Sequence, residues 1–321
     1  MSIIKLIRGK IIAHIFRKNW LLETQLRFDF HKSPLKYTLL AAYLAPVSSY
    51  LRIRQPSRQY EVMTSREYYE ELHELLHLAK INGTELVRIG RDNDGGYIMP
   101  DDFGHDDKIA YSFGISTDVS WDKAMASRGY DVFMYDHTID ALPEENPRFH
   151  WSKLGISDGT GNDDRLKTLD ELIKANHHED KHNMILKMDV EKAEWGFFEM
   201  VSPETLSRFT TILIELHGIN EPDLQDRVAA ALRKINKTHK AVHIHGQNVG
   251  YYISLGNHTF CNQIEVSYVR RDKYSLDENY DVNLPLAIDM PAASRMPEVC
   301  LGRWNSDIHP DDKFVLTSVT M

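Results

Sequence analysis

The stretch Ile109–Asp136, IAYSFGISTDVSWDKAMASRGYDVFMYD, constrains the fold more than any other part of the chain. Its pattern predicts an apolar strand over 109–113, a turn at Gly114, a helix over 119–128 and a second strand over 130–135. Asp118 is a natural N-cap for that helix, and Gly129 supplies the left-handed residue that closes it. Tyr130 to Tyr135 alternate little and are rich in β-formers, as in a strand covered on both faces. A unit of this kind can hold an adenosyl cofactor. Gly114, Ser116 and Asp118 lie at the helix start, and Asp136 is placed to accept from ribose hydroxyls. Asp136 follows Gly114 at roughly the 20-residue spacing of nucleotide-binding folds. Only one glycine is present in the turn, so no G-x-G-x-x-G can be written, and a solvated strand end is the alternative role for Asp136.

The alternation continues downstream. A third strand is predicted over 149–156, with Ser157, Asp158 and Gly159 turning away from it. A helix over 168–175 has Thr168 as cap and Glu171 at the capping-box spacing. Further helices begin at Trp195 and run over 223–235. Strands alternating with helices imply an α/β fold, a mainly parallel sheet with helices on both faces. Upstream, residues 65–79 read as a helix. His73 and His77 are four apart on it, but leucines beside them make that face core-facing rather than metal-binding. Residues 87–90 and 97–99, around Asp94-Gly95, read as a hairpin.

Residues 1–60 read as a separate helical extension to a domain expected over 61–321. Ile4, Ile7, Ile11 and Ile15 recur at helical spacing among Lys5, Arg8, Lys10, Arg17 and Lys18. Such a basic amphipathic helix can make peripheral contact with an anionic membrane, or pack on the domain or a partner chain. A short apolar helix within 39–51, ended by Pro46, and a linker follow. A net charge of −9 over 321 residues argues against a nucleic-acid partner. Two cysteines, Cys261 and Cys300, exclude a disulfide framework and a cysteine-built zinc site. No apolar run approaches the ~20 residues of a membrane span, and no secretory signal is legible. The expected location is the cytoplasm, at the inner face of the membrane if the basic helix binds there.

Several separated motifs share one resemblance. R-I-G-x-x-x-D-G-G-Y runs from Arg88 to Tyr97, and Y-S-F-G-I follows over 111–115. ILKMDVEKAEW occupies 185–195, with Lys187, Asp189, Glu191, Ala193, Glu194 and Trp195 as the matching residues. TTILIELH (210–217), HIHGQN (243–248) and EVSYVR (265–270) complete the set. In combination and order, across residues 85–295, these resemble the FkbM-related S-adenosylmethionine-dependent methyltransferases of bacterial surface-polysaccharide loci and some animal proteins. The resemblance implies a Rossmann-like, seven-stranded class I methyltransferase sheet with its last strand antiparallel. It also implies S-adenosylmethionine as cofactor and O-methylation of a sugar or surface-glycan precursor. Asp94, Gly95 and Gly96 would then fold over the cofactor as a lid, with Arg88 pairing to a carboxylate of the cofactor, of Asp136 or of Asp118. A hairpin with a structural ion pair is the plainer alternative. The chain departs from many methyltransferases in its first turn, where Tyr111 and a single Gly114 replace an acidic residue and two or three glycines.

Polar residues also gather where an open α/β sheet binds ligands, beyond the carboxyl ends of its strands. Asp189 and Glu191, Glu215 and His217, and His243 and His245 are each spaced i, i+2, so each pair shares a side if its strand persists. Carboxylates are rarely buried unpaired, which favours a site over core packing. His217, His245 and Asp189 are candidates for the base that takes a hydroxyl proton, with Asp189 also touching the cofactor. Hydrogen-bonded strand-end histidines are the alternative. A second reading gives Asp189, Glu215 and a histidine, His243, to Mg²⁺ or Mn²⁺ bound to a sugar diol. The proline-spaced segment beyond residue 284 is expected to drape over the sheet and shape the acceptor pocket. Two other functions fit the fold: a catalytically inactive scaffold at a membrane or glycan-assembly complex, and an oxidoreductase, which the missing glycine fingerprint disfavours.

Overall fold

Seven strands build the central sheet: β1 Ile109–Phe113, β2 Asp131–Tyr135, β3 Phe149–Ser152, β4 Met184–Met188, β5 Phe209–His217, β6 His239–Gly246 and β7 Gln263–Arg270. The computed structural model describes residues 65–157 and 163–318. The expected N-terminal helices and linker, and the turn residues Asp158 and Gly159, lie outside them. The strand order is β3-β2-β1-β4-β5-β7-β6. Neighbouring pairs are parallel except those of β7, which runs antiparallel to both β5 and β6. The chain is thus α/β with a mostly parallel central sheet. β4, β5 and β6 are buried along their whole length, including the polar residues that β5 and β6 carry.

The topology positions the site. From β1 the chain builds outward to β3, then crosses back to β4 on the other side of β1. Connections therefore diverge between β1 and β4, and a crevice opens there beyond the strand ends.

Helix α1 spans Arg66–Leu75 and is capped by Ser65, which accepts from the Tyr68 N–H. It stops short of residue 79 because the Leu78 and Ala79 N–H groups are captured elsewhere, by Asn305 Oδ1 and by the Ala241 carbonyl. His73 packs against His258 and Trp304, core-facing as its leucine neighbours imply. Helix α2 spans Ser120–Ser127, and its N-cap is Val119 rather than Asp118. Asp118 supports the same turn from one position earlier, accepting from the Ser120 hydroxyl at 2.9 Å. Gly129 closes α2 at φ +89°. Helix α3, Leu169–Ala175, carries the expected Thr168–Glu171 capping box. Helices α4 (Ala193–Met200), α5 (Pro203–Leu206) and α6 (Gln225–Ile235) follow, the last entered through a 3₁₀ turn over Pro222–Leu224. The predicted strand over 149–156 is broken. Leu154 N–H turns back to the Ser152 carbonyl, and Gly155–Ile156 leaves the main sheet to pair with Leu166–Lys167.

One face of the sheet is covered by α2 and by the hairpin Leu86–Ile89/Tyr97–Pro100, which forms as expected. Ile89, Tyr97 and Met99 of the hairpin pack with Trp121 and Met125 of α2 and with Ala110, Val132, Met134 and Leu213. The hairpin is pinned to β7 where the Ser267 hydroxyl donates to the Ile98 carbonyl. The opposite face carries a stack of Tyr111, Phe133, Tyr135 and Phe113, with Asn176 donating to both tyrosine hydroxyls. Among the described residues no helix is long and apolar enough to cross a membrane.

Candidate active site

A hollow of about 330 Å³ occupies the crevice beyond β1, β2 and β4. Gly114, Ile115, Ser116 and Asp118 line it from the first turn, Asp136 from the end of β2, and Asp189 to Glu191 from the end of β4. Asp94, Gly95 and Tyr97 close one wall from the hairpin, where the D-G-G-Y motif places them. Phe113, Tyr135 and Ile156 supply apolar surface. Lys187 reaches the hollow from β4, donating to the Gly114 carbonyl at 2.9 Å and lying over the Tyr97 ring. The carboxylates of Asp94, Asp118, Asp136, Asp189 and Glu191 outnumber the cationic Arg91 and Lys187.

Three expected cofactor contacts are corrected by the geometry. Asp136 lines the hollow, but its carboxylate is committed to the chain itself. Oδ2 accepts from the Ile115 and Ser116 N–H groups at 3.0 and 2.9 Å, and Oδ1 from the Thr138 N–H and hydroxyl at 2.8 and 2.6 Å. A carboxylate offers about four lone-pair positions, so none is left for a ribose. Burial opposes its charge, yet the Ser116 and Thr138 donors prevail and hold the carboxyl below the usual range. Asp136 therefore shapes the turn instead of reading the sugar. Asp136→Ala should lower folding stability by ~1–3 kcal/mol by leaving those donors unpaired, measured by urea denaturation; an unchanged midpoint would show that water replaces it.

Arg88 forms no ion pair among the described residues. Its guanidinium donates to the Asn93 and Arg91 carbonyls and so staples the D-G-G loop from behind. Gly96 lies beneath that guanidinium, where a Cβ would approach Nε and Nη2 at 2.8 Å, and does not reach the hollow. The guanidinium facing the hollow is that of Arg91, 3.6 Å from Asp118 and 3.7 Å from Asp94.

A second hollow, also about 330 Å³, shares Asp94, Asp189 and Glu191 with the first. Its other walls are Glu215, Gln247, Val249, Gln263, Ala292 and Ala293. Behind this floor lies His217 at 3% side-chain exposure. Glu194, at the start of α4, accepts from both the backbone N–H and the Nδ1 of His217, at 2.7 and 3.1 Å. Nε2 is thereby turned toward Glu215 (3.5 Å), Glu191 (3.7 Å) and Asp189 (3.8 Å). Burial alone would lower the His217 pKa. The Glu194 hydrogen bond and charge, with Asp189 and Glu191, outweigh it and raise the value. His217 is therefore placed to brace these carboxylates through Nε2. Burial and the charges of Asp189, Glu265, Asp94 and Glu191 push the Glu215 carboxyl well above its usual range.

His243 and His245 share a face of β6, but not this site. β7 intervenes between β6 and β5, so both histidines stand two strand spacings from β5, roughly 10 Å. His243 is paired with Asp289 at 3.2 Å, so the histidine that joins Asp189 and Glu215 is His217. His245 sits between Glu265 and Glu298 at 3.3 and 3.2 Å. Burial opposes its charge, but the two carboxylates push its pKa to about 10. An imidazole with its pKa so raised is a poor base at neutral pH. Both histidines instead tie down the segment 285–301, which Asn248 and Asn93 also hold through its carbonyls. Ala292 and Ala293 of that segment wall the second hollow.

Backbone strain converges on the same place. Asn93, Ser116, Glu191 and Lys192, all non-glycine, adopt positive φ of 64, 47, 52 and 79°. β4 ends at Met188, so strand alternation does not bring Glu191 beside Asp189; the left-handed pair Glu191–Lys192 does. Glu194, Lys187 and Tyr97 carry parts of the site that their positions in the chain did not announce. Glu194 and Lys187 lie in the K-x-D-x-E-x-A-E-W run and Tyr97 closes D-G-G-Y, so the motifs held the signal without the roles. No protein-family model matches the chain, and a search of curated proteins finds no match.

Proposed function

We propose that the chain is an S-adenosylmethionine-dependent methyltransferase acting on an oxygen of a sugar or glycan precursor. The observation that carries the reading is the shared wall of Asp94, Asp189 and Glu191, which joins a hollow at the sheet's switch point to a second hollow beside it. One hollow suits the cofactor, the other an acceptor. Seven strands with the last one antiparallel are what the sequence resemblance implies for a class I methyltransferase, and the acceptor class rests on that resemblance.

Charge favours this cofactor over a dinucleotide. Carboxylates outnumber cationic side chains around the first hollow, a balance that complements a sulfonium and an ammonium and repels a pyrophosphate. When bound, S-adenosylmethionine supplies an electrophilic methyl group. The chain contributes placement and proton handling. Gly114 lets the first turn close on the Asp189 backbone, and Phe113, Tyr135 and Ile156 offer apolar cover for an adenine. Asp189 faces both hollows, so its carboxylate takes the proton of the acceptor hydroxyl. Tyr97 Oη at 3.4 Å and His217 Nε2 at 3.8 Å flank that carboxylate and hold it in position.

Calorimetry tests the reading. S-adenosylhomocysteine should bind at micromolar strength and NAD should not; absence of S-adenosylhomocysteine binding removes the transferase assignment. Asp189→Asn should keep that affinity within a few-fold. It should lower transfer of labelled methyl to a cell-envelope extract by roughly 10²–10⁴-fold. Undiminished transfer would place the reaction elsewhere.

A further inference from the structure

The floor of the second hollow is electrostatically incomplete. Glu215 has only 8% of its side chain exposed and receives no hydrogen bond among the described residues; its polar neighbour is the His217 imidazole at 3.5 Å. Asp189 and Glu191 have no lysine or arginine partner among the described residues and face the same imidazole. Asp189 also accepts from the Tyr97 hydroxyl at 3.4 Å and Glu191 is solvent-exposed, so Glu215 is the carboxylate left buried without a donor, a strongly disfavoured state.

We propose that Asp189, Glu215 and His217 form a divalent-cation site of the Mn²⁺ type. One potential ligand atom from each lies within 4.8 Å of the others. Ligand atoms held ~2.1 Å from a common ion at right angles stand roughly 3 Å apart. The observed 3.5 and 3.8 Å from Nε2 to Glu215 and Asp189 therefore need only small side-chain rotations. The histidine is prepared for the role. Its Nδ1 is tied to the fully buried Glu194, which fixes the ring and leaves Nε2 as the ligand atom, the usual arrangement behind a metal-bound histidine. Two carboxylate oxygens with one imidazole nitrogen suit Mn²⁺ better than Ca²⁺, which takes all-oxygen sets.

The cation would neutralise Glu215 and leave positions open toward the hollow. An acceptor presenting two adjacent oxygens could occupy them, and its hydroxyl would then ionise more readily. This purpose rests on the transferase reading, but the site's geometry does not.

The test uses the full chain without cofactor or acceptor. Titration with Mn²⁺, followed by loss of the free-ion electron paramagnetic resonance signal, should show one site per chain. Mn²⁺ should also raise the melting temperature. Glu215→Gln and Asp189→Asn should each abolish both effects while retaining the wild-type circular dichroism spectrum. Glu194→Gln, which leaves the three ligand residues in place and alters the support of His217, should weaken binding by roughly ten-fold or more. No binding at millimolar Mn²⁺, or equal binding by wild type and Glu215→Gln, would overturn the proposal. So would thermal protection by ethanolamine in place of Mn²⁺, which would assign the acidic floor to a cationic acceptor. Because S-adenosylhomocysteine binding is measured separately, a failed Mn²⁺ titration beside successful cofactor binding removes the cation site alone. The converse result removes the transferase reading alone.

Discussion

Gly114→Ala should abolish S-adenosylhomocysteine binding and sharply lower the melting temperature. Gly114 sits at φ +76°, and a Cβ there would lie 1.6 Å from the Asp189 carbonyl oxygen and 2.7 Å from its carbon. Ordinary contact begins at 3.4 Å, and both clashing atoms are backbone, so no side-chain rotation relieves them. The turns after β1 and β4 would have to part by well over an ångström at the point where the two strands frame the first hollow. Displacements of ~1 Å in such a site cost on the order of 10²-fold in function. Gly129→Ala is the control. It has similar left-handed geometry, φ +89°, but nothing within 4 Å of the added Cβ. It should lose only ~1–2 kcal/mol of stability from backbone strain and keep native affinity. Equal behaviour of the two variants in calorimetry and thermal melts would show that the Gly114 contact has no special role.

His245→Leu should destabilise the fold by ~3–5 kcal/mol near neutral pH, because it leaves the buried Glu265 and the half-buried Glu298 without their common cation. Glu265 also accepts from Gln247 at 3.1 Å, so the loss reaches the second hollow. The effect depends on pH in a determined direction. The folded pKa of about 10 lies above the ordinary value of 6.5. Over that interval the native chain holds a proton that the unfolded chain does not, so this contribution is complete below about pH 6.5 and declines as pH rises toward about 10. Urea midpoints of wild type and variant should therefore differ most at about pH 6 and converge at about pH 10. A gap that stays constant across this range would mean that packing, not charge, sets the role of His245.

Legibility from the sequence followed the range of the interactions. Hydrogen bonds to neighbours within a few residues specified the Thr168–Glu171 capping box, the left-handed Gly129 and the hairpin around Asp94-Gly95, and each is present. The mainly parallel sheet followed from strands alternating with helices along the chain. The acidic and imidazole residues around Asp189 were also visible as a group, since carboxylates at the ends of buried strands are costly to keep without a partner or a ligand. Their partners were not. Asp136 stands at the predicted strand end, yet donors from Ile115, Ser116 and Thr138 consume its carboxylate, and the spacing alone could not count those donors. Arg88 looked like an ion-pair residue, but the loop it helps to fold presents carbonyls to it first.

By itself the chain determined an alternating α/β order, the turns and caps that punctuate it, and the set of polar residues available at the strand ends. Tertiary structure alone decided which of those residues meet. Inserting β7 between β5 and β6 separates His243 and His245 from Glu215 by two strand spacings, while the fold of α4 against β5 brings Glu194 to His217. Periodicity reports which face a side chain occupies. It carries no information about the lateral order of strands, and lateral order sets the distances on which hydrogen bonds, charge pairing and metal ligation depend.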